Sequence, residues 1–74
     1  MISPNISIDL NTDAKVSISV YNAMGQLMDV LVNENLSAGS YPFVWNAQND
    51  PSGLYFIKTS INSNTSTQKV LLLK

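Results

Sequence analysis

The 74-residue sequence contains no cysteine, no histidine and no arginine, only three glycines, and no long apolar run. Without cysteine there are no disulfide staples and no thiolate metal site, and the redox compartment is left open. The missing histidine removes the usual carrier of protons near neutral pH, and the missing cysteine and arginine remove a thiolate nucleophile and a bidentate anion clamp. Four lysines against five acids give a formal net charge of −1, too little basic surface to neutralise a run of phosphates, so nucleic acid is not an expected partner. No stretch approaches the roughly 20 apolar residues that span a bilayer, and the start lacks the basic region and apolar core of a signal peptide. The chain therefore reads as a single domain, 1–74, and as a piece of a longer exported protein.

What is present is alternation. Ile6, Ile8 and Leu10 are spaced by two with Ser7 and Asp9 between them, and Val16, Ile18 and Val20 repeat the pattern around Ser17 and Ser19. Such spacing predicts strands with one apolar and one wet face. The short Asn11–Ala14 connection predicts that these two strands pair as a hairpin. Asn22-Ala23-Met24-Gly25 reads as a turn, with Gly25 free to take positive φ. From Gln26 to Val32 the alternation breaks, which requires either a bulge near Asp29 or cover on both faces; the valines argue against a short helix. Tyr41, Phe43 and Trp45 alternate again after a turn at Ser37–Ser40, and Pro42 between them predicts a sheet edge. A long Asn- and Asp-rich loop from Asn46 to Ser52, a strand from Leu54 to Ser60, a polar turn from Asn62 to Ser66 and a strand from Thr67 to Leu73 complete the chain. Six or seven short strands with no helix predict an all-β, small antiparallel Ig-like β-sandwich.

Chemistry is sparse. Asp9, Asp13, Asp29, Glu34 and Asp50 are scattered over different strands and turns, so no carboxylate pair is expected and the chain does not read as an enzyme. The oxygen-bearing loops at Asn11–Asp13 and Asn49–Asp50 fall short of a calcium loop and suit turn hydrogen bonding, so no metal and no cofactor is expected. Trp45, with Tyr41 and Tyr55, has two readings: a sugar-stacking platform, or core packing in a domain with a single tryptophan. Lys69-Val70-Leu71-Leu72-Leu73-Lys74 is an apolar run between two lysines that also has two readings. It is either an ordinary last strand with charged ends or a signal presented to another protein. In both, Val70 and Leu72 share one face and Leu71 and Leu73 the other. An exposed Leu71–Leu73 pair beside Lys69 would mark a partner-binding edge.

Tyr21-Asn22-Ala23-Met24-Gly25-Gln26, Leu31-Val32-Asn33-Glu34, Ala38-Gly39, Val44-Trp45-Asn46 and Pro51-Ser52-Gly53-Leu54-Tyr55-Phe56, closed by Lys69–Lys74, resemble in order and spacing the C-terminal sorting domain of the type IX secretion system, type A. The pattern is also visible, more weakly, in Ig-like domains of flagellar hook-cap proteins. The resemblance implies a non-catalytic domain that follows a covalently linked cargo and directs it through the outer membrane. Its implied partners are the outer-membrane secretion machinery and a sortase-like peptidase. The implied localisation is extracytoplasmic, with the periplasm in transit and then the cell surface or medium. It assigns translocon recognition to Lys69, Val70, Leu71, Leu72, Leu73 and Lys74, and structural roles to Gly25, Gly39, Trp45, Pro51, Gly53 and Tyr55. The family's opening Pro-Asn-Pro is reduced here to Ser3-Pro4-Asn5, and its usual Arg and Lys mixture near the end is lysine alone. The competing reading is a structural Ig-like spacer or an adhesion or glycan-binding module of an extracellular protein.

Overall fold

The computed structural model describes residues 4–73, and it is all-β. Six strands follow in order: β1 (Asn5–Leu10), β2 (Ala14–Asn22), β3 (Leu27–Leu36), β4 (Gly39–Val44), β5 (Gly53–Ile61) and β6 (Asn64–Leu72). They form a two-stranded sheet, β1-β4, and a four-stranded sheet ordered β3-β2-β5-β6, with every pairing antiparallel. The all-β expectation and the strand number hold.

The expected β1-β2 hairpin does not form. β1 pairs with β4, from Asn5 opposite Val44 to Leu10 opposite Gly39, whereas β2 lies between β3 and β5 in the other sheet. Asn11–Asp13 is therefore a crossover between layers. A three-residue polar linker is compatible with either connection, and burial decides between them: Leu10 and Ala14 are both in the core, approached from opposite sheets. The second crossover, at Ser37 and Ala38, runs beside the first. Asp13 ties them together, its carboxylate accepting a hydrogen bond from the Ala38 N–H at 2.9 Å. The Ser40 hydroxyl donates to Asp9 at 2.8 Å, closing the same end of the β1-β4 pair.

The break in alternation along β3 is a pair of bulges. Ile18 opposes Val32 and Ser19 opposes Val30, so Leu31 is the extra residue; likewise Val20 opposes Asp29 and Tyr21 opposes Leu27, leaving Met28 unmatched. Each bulge resets the facing by one residue. Val32 thereby reaches the core while Leu27 and Val30 stay on the solvent side, 57% and 47% exposed. The last hairpin is tighter than its composition implies. β6 begins at Asn64, because Thr65 and Ser66 pair with Ser60 and Thr59, and only Asn62 and Ser63 remain in the turn. Asn62 takes φ +56°, a left-handed conformation that asparagine tolerates, and its side-chain oxygen accepts from the Lys15 N–H while its own N–H donates to the Lys15 carbonyl.

The core is filled from both layers. Val16, Ile18, Val20, Tyr55, Ile57 and Leu72 point inward from the larger sheet, meeting Ile8 and Leu10 from β1 and Trp45 and Ala47 from the segment after β4. Trp45 lies just past β4, and its N–H continues the β1-β4 ladder by donating to Pro4 at 3.0 Å. Pro42 sits opposite Ser7 on a strand with one neighbour only, so its missing N–H costs the sheet nothing.

The β2-β3 turn is organised by one side chain. The Asn22 carbonyl oxygen Oδ1 accepts from the Met24 and Gln26 N–H groups, both at 2.9 Å, and its Nδ2 donates to Gln26 Oε1 at 2.7 Å. Gly25 at φ +81° completes the reversal in a region that a side chain would strain. Asn22→Ala removes three hydrogen bonds from this exposed turn and is expected to destabilise the domain by about 1–2 kcal/mol. Urea unfolding of the variant measures this, and an unchanged midpoint would show that the turn forms without the side chain.

Candidate functional site

β6 is an edge strand. Among the described residues it pairs with β5 alone, so along its other side the backbone N–H and C=O groups have no strand partner there. The register places Phe56 opposite Lys69, Tyr55 opposite Val70, Leu54 opposite Leu71 and Gly53 opposite Leu72. Side chains alternate across a strand, and the two faces here have separate fates. Leu72 is fully buried and Val70 is half-buried against the core. Leu71 and Leu73 are each 62% exposed, and Lys69 is exposed on the same side. The exposed pair beside Lys69 is thus present. Lys74 lies outside the described residues.

The elements that hold this edge are those marked by Pro51, Gly53 and Tyr55. Gly53 begins β5 at φ +156°, a conformation that a side chain would strain, and sits opposite Leu72. Tyr55 buries its ring and donates its hydroxyl to the Pro51 carbonyl at 2.7 Å, bracing the long loop against the strand that follows it. The same device occurs at Tyr41, whose hydroxyl donates to the Ser37 carbonyl at 2.6 Å across the other crossover. Gly39 opens β4 directly under the Tyr41 ring, where an added Cβ would lie 3.8 Å from the ring edge. Burial raises the Tyr55 phenol above its ordinary value of 10.0, and the charge of Asp50 adds to the shift.

Trp45 is completely buried and meets Tyr55 edge-on, ring centroids 5.0 Å apart at 63°. Of its two readings, core packing is the one realised, and a ring with no exposed face cannot stack on a sugar. Its indole N–H has no hydrogen-bond partner among the described residues. Among the described residues no three acids cluster as a metal site would need. A hollow of about 230 Å³ lined by Thr59, Ile61, Asn64, Thr65 and Ser66 carries no ionisable side chain. The residues that sequence reasoning undervalued are Asn22 and Gln26, whose signal is the capacity of Asn to hydrogen-bond the backbone two residues on.

The family described as the secretion system C-terminal sorting domain matches residues 2–73. This chain belongs to that family. It is a type IX secretion sorting domain, a signal that marks proteins for export to the cell surface or medium. Sorting domains of this family are generally non-catalytic, and membership implies recognition by the type IX secretion machinery. No curated protein and no solved structure matches the chain at a significant level.

Two measurements follow from the geometry of this sorting domain. Leu72→Ala should cost about 2–5 kcal/mol in a thermal or denaturant melt, as a large core truncation does, while Leu71→Ser with Leu73→Ser should change stability by less than about 1 kcal/mol. Equal losses in both would mean that the two faces are not distinguished. Tyr55 contributes through its neutral phenol: a folded-state pKa raised above 10.0 gives stability that is whole below about pH 10 and is lost as the pH climbs through the folded value. Tyr55→Phe should therefore cost about 1 kcal/mol at neutral pH and flatten the fall in stability above pH 10, read from melts between pH 8 and 11. An alkaline slope as steep as the parent's would exclude Tyr55 as its source.

Proposed function

We propose that this sorting domain directs a cargo protein, covalently linked ahead of it, from the periplasm through the outer membrane, and that β6 is the element the translocation machinery reads. The observation that carries the reading is the free edge of β6 with Lys69, Leu71 and Leu73 on its exposed face. Val70 and Leu72 point the other way and act as anchors, holding that edge in register against Tyr55 and Gly53. An open edge suits strand addition: backbone groups supply affinity, and alternate side chains supply selectivity. The lysine adds a charge that speeds encounter with an acidic receptor. Lys74 extends the same alternation in the sequence and is assigned to the same recognition. A sortase-like peptidase that releases the domain from its cargo is the second partner proposed.

None of these roles requires catalysis by the domain itself. The work is done by a folded edge that stays available while the cargo passes. When the domain is fused behind a reporter in a bacterium that carries the type IX system, Leu71→Ser with Leu73→Ser and, separately, Lys69→Ala should each lower export while the circular dichroism spectrum stays that of a folded domain. Export at the parent level by both folded variants would sink the assignment of β6.

A further inference from the structure

The outer face of the four-stranded sheet, away from the core, is not an ordinary solvated surface. Cross-strand register aligns Leu27, Tyr21, Phe56 and Lys69 in one row across all four strands, with Leu54 and Leu71 in the row beside it. On the other flank Val30, Ser19, Lys58 and Thr67 form the next row. Tyr21, Leu54 and Phe56 are half-buried yet are not among the residues packed against the core, and Leu27, Val30 and Leu71 are 57%, 47% and 62% exposed. The apolar rows give way to Asn33, Ser17, Ser60 and Thr65 farther along the same face.

Charge is segregated in the same sense. Lys15, Lys58 and Lys69 each lie between inward-facing neighbours along their strands, so all three project from this outer face. No acid joins them. Asp9 points out from the opposite sheet, Asp13 and Asp50 lie in connections, and Asp29 and Glu34 oppose Val20 and Val16 on the inward side of β3. A chain of net charge −1 thus presents one face that is apolar at one end and wholly cationic.

We propose that this face is a docking surface for a protein partner whose own surface is apolar at one end and acidic along the rest. The proposal rests on the reading of β6 as the recognised edge, and it extends the footprint from Leu71 and Lys69 across the sheet to Leu27 and Val30 on the far strand. Charge complementarity selects the partner. A second copy stacked face to face would set lysines against lysines with no acid between them, a costly juxtaposition. A lipid surface fits poorly, because an interfacial anchor buries a continuous apolar face about 5–10 Å deep, and here Lys69 and Lys58 stand within the rows that hold Leu27, Phe56 and Val30. Four strands about 4.8 Å apart, with rows about 6.8 Å apart, make the whole face on the order of 500 Å². A footprint of that size lies at the small end beside the roughly 800 Å² of accessible surface per partner in a standard stable complex, which suits a transient contact with a cargo in passage.

The test uses the export assay with substitutions outside β6: Leu27 and Val30 on β3, the far edge of the sheet, and Lys58 on β5, opposite Thr67. Leu27→Ser with Val30→Ser should reduce export roughly tenfold, the loss expected from two half-exposed apolar contacts. Lys58→Glu should reduce it more than Lys58→Gln, because reversal repels an acidic partner and neutralisation only removes an attraction. Thermal melts of the purified variants verify folding. If the double variant is unfolded, the Lys58 pair alone decides, since that side chain is exposed. Parental export by the folded β3 and β5 variants, with export lost in Leu71→Ser with Leu73→Ser, would overturn the proposal and leave the β6 reading intact. Parental export by all of them would overturn both. Two further results would replace the partner: binding of the parent to phosphatidylglycerol vesicles that Lys58→Glu abolishes would make it a membrane, and a sedimenting dimer dispersed by Leu27→Ser would make it a second copy.

Discussion

The edge-to-face contact between Trp45 and Tyr55 is the constraint on which the arrangement depends. Trp45 ends the small sheet and Tyr55 lies in the large one, so a single aromatic pair closes the two layers against each other where the longest loop joins them. The Tyr55 hydroxyl then fixes the loop at Pro51, and its backbone pairs with Val70. A disturbance at this pair would be felt in the loop and in the last strand together. A domain of 74 residues without a disulfide has few other means of coupling its layers.

The division of β6 into two faces follows from that coupling. Leu72 is buried in the same core cluster as the aromatic pair, while Leu71 and Leu73, one residue away on either side, are left in water. Exposed leucines at the rim of a small sandwich stabilise nothing in the isolated domain. Their position is consistent with the demands of recognition, which requires an apolar surface that folding has not consumed. The same economy applies across the outer sheet face, where Tyr21, Leu54 and Phe56 are withheld from the core although the core is small.

Hydrogen bonding in the connections shows how a sequence poor in glycine turns so often. Asn22, Asn62, Asp13 and the two tyrosines supply side-chain partners to backbone groups that would otherwise depend on water. The Asn and Asp side chains are short and held close to the backbone, so little side-chain entropy is lost in placing them. The abundance of Asn, Ser and Thr outside the core is thus partly turn chemistry and partly a neutral surface.

Strand identity was legible in the order of residues, because a period of two is a local property: Ile6, Ile8 and Leu10, or Val16, Ile18 and Val20, declare their faces without reference to anything else. The phase break from Gln26 to Val32 showed for the same reason that a bulge or cover on both faces was needed, and the ordered motifs from Tyr21 to Lys74 carried the family. Pairing was not legible. Asn11–Asp13 can reverse a chain within one sheet or carry it across to another, and only the burial of Leu10 and Ala14 from opposite layers chose the second. The fate of Trp45 and the alignment of Leu27, Tyr21, Phe56 and Lys69 were likewise set by residues distant along the chain. Alternation tells each strand which of its sides is apolar, but a surface is made of neighbours, and neighbours in a sheet are assigned by packing.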